Sequence, residues 1–430
     1  IWHQMLYENR KILREVCDKY ELENPGINIE LTYRETEELR ANFQSSAMGG
    51  SGPELIYGPS DQVGPFSAMG IIQPLDSVFT DTFFNHFVDN ALVRLDNHLW
   101  MIGDVIGNHL MLIYNKRFIK NPPENTNQLI DIGTQLTKDT NGDGNIDQYG
   151  LVWNFTEPFF YAPWLGGFGE WLITDESKPN LNTESNKQGF RFIKSLRDEH
   201  KIIPKECDYE IANSLFKTGK AAMIINGDWS WGDYKDVVEF GIAPLPKVSS
   251  TGLWPSPMVS TKGYSININT RGDKLLKTKA VLTYLTSSEV QLYFTEKVSS
   301  QPSSKIALKS RIVQNNDLLN ASSKIIERGR PMPVVPEMRA IWDALRTQYQ
   351  AVLGGNIDAN TAALLSHENS IRQIELMNEI RKPDLIGKLL KWIVLIFIFL
   401  IPYYFRKNII QFVDGLKENS DAYYFILPAF

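Results

Sequence analysis

FKTGKAAMIINGDWSW, residues 216–231, is the stretch on which the fold turns. A helix that includes Asn213 to Lys217 stops at Thr218-Gly219, and Ala221 to Ile225 then run as an apolar strand. Two tryptophans, Trp229 and Trp231, follow directly on that strand. Working outward, Phe190 to Lys194 lie in a helical segment upstream. Downstream, Phe240 to Leu245 read as a strand closed by Pro246, and Gly263 to Asn269 alternate as another. Thr278 to Phe294 read as one helix with Val281, Leu282, Tyr284 and Leu285 inward, and Ile341 to Val352 as a late helix. Near the start, Ile12, Leu13, Val16, Cys17 and Tyr20 share one helical face, and Asn24-Pro25-Gly26 stops that helix. Ile27, Ile29, Leu31 and Tyr33 alternate as a strand, a second helix covers Glu37 to Met48, and Glu54 to Tyr57 and Leu110 to Tyr114 are further strands. Strands alternating with helices imply βαβ units, an α/β class and a mainly parallel sheet.

The 430 residues suffice for more than one core. A net charge of -6 lacks the basic footprint of a nucleic-acid binder, so no nucleic-acid partner is expected. Two cysteines, Cys17 and Cys207, make no disulfide framework, and Cys17 reads as a buried structural thiol. No Walker loop occurs, and the six histidines show no metal spacing. Leu389 to Phe405 carry a single charge, Lys391, and are apolar on every face. Seventeen such residues span roughly 25 Å as a helix, and Trp392, Tyr403 and Tyr404 suit the two interfaces. A transmembrane helix is expected over 389–405, preceded by a linker over 371–388 in which Arg381-Lys382-Pro383 breaks a polar helix from Thr361 to Ile380. The alternative for the apolar run is a buried core helix.

Several stretches carry a family resemblance. GGSGPELIYG (49–58) and LIYNKRFI (112–119) resemble extracellular solute-binding proteins of ABC importers. FKTGKAAMIINGDWSW and FGIAPLPK (240–247) resemble the sugar-binding branch. EPFFYAPW (157–164) and MPVVPEMRAIWDALR (332–346) resemble maltose- and maltodextrin-binding proteins. The matches keep the family's order over residues 1 to about 370. The resemblance implies a two-lobed periplasmic-binding fold of type II with a hinge. Lobe one combines 1–107 with 264–310, lobe two combines 111–260 with 315–370, and the chain crosses near Asn108 and Lys262. DAYYFILPAF (421–430) resembles the first membrane helix of sugar-importer permeases, so 406–430 is expected to be a cytosolic segment and the start of a fused permease. The partners implied are an oligosaccharide, the permease and, through it, a separate ATPase subunit. The binding lobes are expected on the extracytoplasmic side of the cell membrane.

A sugar ring has apolar C–H faces and a rim of hydroxyls, which calls for aromatic platforms and paired polar groups. Carried over position by position, the resemblance implies Phe159, Trp229 and Trp342 as stacking residues and Trp231 as a supporting aromatic. It gives hydrogen bonding to Asp61, Glu157 and Arg346. Asn108 stands where the family pattern has a glutamate, Gly58 where it has a tryptophan, Gln62 where it has an arginine, and Ala162 replaces an aromatic. Each residue has a plainer reading: core for an aromatic, helix cap for Asp61 or Glu157, surface ion pair for Arg346. Trp153, Trp164 and Trp171 keep the core reading. A rival function uses Asp61 and Glu157 as the carboxylate pair of a glycosidase. No cofactor is required. DTNGDGNID (139–147) has the spacing of a calcium loop, with Asp139, Asn141, Asp143, Asn145 and Asp147 as ligands of a structural ion, although position twelve is Gly150 rather than glutamate. A solvated polar turn is the other reading.

Overall fold

The computed structural model describes residues 1–381. The apolar run 389–405, the linker from 382 onward and the segment 406–430 lie outside the described residues. Among the described residues no helix is long and apolar enough to cross a membrane.

The described residues form two sheets, each with its own core. The first has eight strands. Its path runs Thr32–Tyr33, Trp2–His3, Leu55–Pro59, Met258–Asn267, His98–Gly107, Leu92–Leu95, with Ile72–Gln73 and Arg330–Pro331 also paired to Met258–Asn267. The second has four, in the order Phe240–Ala243, Leu110–Asn115, Ala221–Gly227, Tyr149–Val152. The expectation of a mainly parallel sheet is corrected. Only the first-sheet strands near the N-terminus, the short Arg330–Pro331 strand and the pair Tyr149–Val152 with Ala221–Gly227 run parallel. Met258–Asn267 comes from late in the chain and inserts antiparallel between Leu55–Pro59 and His98–Gly107. Short-range alternation of strand and helix cannot show such an insertion.

Local patterning does the rest. The helix Tyr7–Glu23 buries the five residues Ile12, Leu13, Val16, Cys17 and Tyr20, one stripe at helical spacing. They join Leu55, Tyr57, Tyr264 and Val281 in the core under the first sheet. Each fully buried large apolar side chain of this kind contributes about 1.5–3 kcal/mol. The helix expected over 278–294 is two helices, Gly272–Leu285 and Ser288–Val298. The break has a local cause: Thr286 Oγ1 donates to Leu282 O (2.7 Å), and Ser287 Oγ accepts from Val290 N as a fresh N-cap. The second core packs Leu110 to Ile113, Ala221 to Ile225, Trp153, Trp164 and Phe190 with Met338, Ile341 and Leu345. Cys17 and Cys207 are free and buried.

The chain passes from the first sheet to the second at Asn108–His109, between strands His98–Gly107 and Leu110–Asn115. Gly107 (φ 119°) and Asn108 (φ 40°) both take left-handed backbone there. The return crossing precedes Lys262. Met258 packs in the second core, whereas Ser260 already pairs with Gly107 of the first sheet.

Candidate functional site

A cavity of about 740 Å³ lies between the two sheets, within the range of ligand clefts. Its walls come from the helix Thr36–Met48 and the turn after Leu55–Pro59 on one side. On the other are the segment after Tyr149–Val152, the segment after Ala221–Gly227 and the helix Glu337–Leu353.

The helix Glu337–Leu353 shows how sequence sets this wall. Met338, Ile341, Leu345, Tyr349 and Val352 face the core. Arg339, Trp342, Arg346 and Gln350, spaced by three and four, face the cavity. Opposite it, Glu35 caps Thr36–Met48 by accepting from Glu37 N (2.9 Å), which places the Glu37 carboxylate in the first turn. Arg346 Nη2 donates to both Glu37 and Glu157, each at 3.0 Å, and Arg339 pairs with Glu37 as well. Glu37 therefore ties the first wall to the second. Burial pushes its carboxyl up, but Arg40, Arg339 and Arg346 outweigh that and hold it below its ordinary value. Glu157 goes the other way: burial raises it despite Arg346.

Seven of the eight expected site residues line the cavity: Asp61, Asn108, Glu157, Phe159, Trp229, Trp342 and Arg346. Phe159 stands between the two tryptophans, 6.0 Å from Trp229 and 6.4 Å from Trp342 by ring centroids. Trp229 Nε1 donates to Tyr209 Oη (3.1 Å) and Trp342 Nε1 to Asp61 Oδ2 (3.2 Å), so both indoles are held before any ligand arrives.

The eighth, Trp231, expected as a supporting aromatic, lies outside the lining. Trp231 is 1% exposed and belongs to the second core, away from the cavity. The turn Asp228–Ser230 and the short helix Trp231–Tyr234 point residues 229 and 231 in different directions. Two other residues line the cavity but are already engaged. Asp61 is buried and accepts from Arg40 Nη2 (2.7 Å), so it caps no helix. Asn108 Nδ2 donates to Ser260 Oγ (2.7 Å), and its N–H donates to Asp228 Oδ2 (3.0 Å), a role in the crossing. At the departures from the family pattern, the Gln62 side chain lies over Gly58, where an added Cβ would meet it at 2.5 Å, and Ala162 is buried in the core.

Glu37, Arg40, Arg339 and Lys262 were not anticipated. Arg339 was legible, seven residues before Arg346 and so on the same helical face. Glu37 and Arg40 were read only as helix, because their partners lie far away in sequence.

The loop 139–147 is exposed and closes on itself. Asp139 accepts from Gly142 N and Gly144 N, Asn141 Oδ1 from Asp143 N, Asp143 Oδ1 from Asn145 N, and Asp147 Oδ2 from Thr140 N. Among the described residues no three acidic, histidine or cysteine side chains gather to hold a metal.

An aromatic wall with a rim of paired charges, between two α/β lobes joined by crossing strands, defines a two-lobed solute-binding protein. Residues 15–321 match the family described as bacterial extracellular solute-binding protein, and the chain belongs to that family. Such proteins are carriers, not enzymes. A solved maltose/maltodextrin-binding domain from Bdellovibrio bacteriovorus, bound to maltotriose, is 56% identical, with TM-score 0.86 over 87% of this chain and 98% of its own. The maltotriose-binding protein of Pyrococcus abyssi is 24% identical over 371 residues, 85% of this chain and 79% of that one. The galactooligosaccharide-binding protein of Bacillus subtilis is 23% identical over 362 residues, 80% of this chain and 81% of that one.

Proposed function

We propose that this protein binds a maltodextrin-type oligosaccharide outside the cytoplasm and delivers it to the permease of an ABC importer. The observation that carries the reading is the wall of Phe159, Trp229 and Trp342 inside a cleft rimmed by Glu37, Glu157 and Arg346. The likeness at 56% identity to a domain bound to maltotriose supports the same ligand class. The cavity lining carries seven carboxylates against four cations, a field that opposes acidic sugars and suits a neutral polyol. Closure follows from contacts that a sugar makes only when both walls reach it. Intrinsic tryptophan fluorescence titrated with maltotriose, with small-angle scattering on the same samples, tests the reading. A saturable change with compaction is expected, and it should be weak or absent with lactose. Compaction with a galactosyl oligosaccharide alone would move the ligand to the class named for the Bacillus relative.

The glycosidase rival loses its acid–base pair, since Asp61 is committed to Arg40 and Trp342 and Glu157 to Arg346. We further propose that 389–405 is a membrane helix joining the lobes to a fused permease. The linker would then set the effective concentration of the lobes at the permease. Deleting 389–405 should release the protein from the membrane fraction; retention there counts against the helix. A structural calcium ion in the 139–147 loop is a separate proposal, resting on ligand spacing. Millimolar calcium should raise Tm by a few degrees through binding to the folded state, and an unchanged Tm would retire it.

A further inference from the structure

The cavity lining includes a cation that, among the described residues, touches an aromatic ring but pairs with no acceptor. Lys262 lies in the strand Met258–Asn267, opposite Pro59 on one side and Val105 on the other. Pairing with His98–Gly107 shifts register between Lys262 and Gly263, which leaves Asp104 as the extra residue of a bulge. Bulges re-aim side chains beside binding sites. Here Val105 and Lys262 line the cavity, while Asp104 is buried beside it. The Lys262 ammonium sits 4.5 Å from the centroid of the Trp229 ring. Among the described residues it has no hydrogen-bond acceptor and no carboxylate within 4.0 Å. Burial pulls it down to about 8, with Asp228 and Asp104 pulling back. Burial also pushes Asp104 up to about 7. Lys262 is half-buried and lines the cavity, so its ammonium protons are left free for oxygens that enter there.

We propose that Lys262 is a ligand contact that sets specificity: its ammonium donates hydrogen bonds to oxygens of the sugar unit that stacks on Trp229. The inference rests on the oligosaccharide reading above. Asn108, the adjacent polar side chain, is spent on Ser260 and does not compete for the same oxygens. Lysine offers donors only. The unit on Trp229 must therefore present acceptor oxygens, and an amino sugar carrying a positive charge at that position is repelled. Cation and ring together recognise a neutral hexose by its edge and its face.

Calorimetry on the full chain and on K262M, with maltotriose and its monodeoxy analogues, tests this. K262M should bind maltotriose roughly 10- to 100-fold more weakly, the range of a hydrogen bond to a charged group. At least one deoxy analogue should lose about tenfold on the wild type and almost nothing on K262M. K262M should melt close to the wild type, because the Lys262 ammonium makes no hydrogen bond or ion pair among the described residues. A lower Tm, with the same loss for every analogue, would make Lys262 a prop for Trp229 and overturn the proposal. K262Q serves if K262M does not fold. A wild type that binds no maltodextrin sinks the functional reading itself. A wild type that binds, beside a K262M that binds equally well, sinks this inference alone.

Discussion

Trp229→Ala is expected to weaken maltotriose binding by about 2–4 kcal/mol, roughly 30- to 1000-fold, while leaving the fold in place. The strand Ala221–Gly227 is buried at every position and carries the chain to the cavity floor. Trp229 then folds back over Gly227, where an added Cβ would lie 2.0 Å from the indole. With Nε1 held by Tyr209, the ring is in place before the ligand arrives, and little ordering is left to oppose stacking. Trp229 is only partly buried, so truncation opens the cleft rather than the core. Trp153→Ala is the contrasting control. That ring is 1% exposed and donates to Tyr349 Oη at 2.7 Å, so its loss should lower Tm. Calorimetry and thermal melts on both variants separate the two effects. A change in affinity below about threefold for Trp229→Ala would remove it from the stacking surface.

Sequence legibility in this protein follows the range of the interactions. The buried stripe of Tyr7–Glu23 was legible because it depends only on helical spacing. Phe159, Trp229 and Trp342 were legible through the stretches around them, and the structure brings all three to one cavity. Trp231 lies in the core while Trp229 lines the cavity because a turn at Asp228–Ser230 and a short helix from Trp231 separate their directions. The antiparallel insertion of Met258–Asn267 was hidden, since it joins strands about 160 to 200 residues apart. Lys262 was hidden with it: its aim depends on a register shift that no local pattern marks. The ion pairs on Glu37 span some 300 residues and depend on how the two walls face each other. A helix read on its own shows only that Glu37 belongs in a first turn.

Arg40→Ala should cost about 3–5 kcal/mol of stability, the range for stripping one partner from a buried ion pair. Arg40 is 13% exposed by side chain and Asp61 only 4%. Arg40 Nη2 donates to Asp61 Oδ2 at 2.7 Å, and the Asp61 Oδ1 atom has no partner among the described residues. Without Arg40, the carboxylate keeps one hydrogen bond, from Trp342 Nε1. An anion so poorly compensated out of water is among the few sources of large mutational effects. The loss reaches the cleft as well. Asp61 follows the strand Leu55–Pro59, whereas Trp342 stands on the opposite wall, so this carboxylate touches both sides. Arg40→Ala should therefore lower Tm by several degrees. Adding Asp61→Asn should recover much of that loss, because a neutral amide removes the buried charge while still accepting from Trp342. A double variant no more stable than Arg40→Ala would show that Arg40 acts through its pair with Glu37 or through packing rather than through its charge on Asp61.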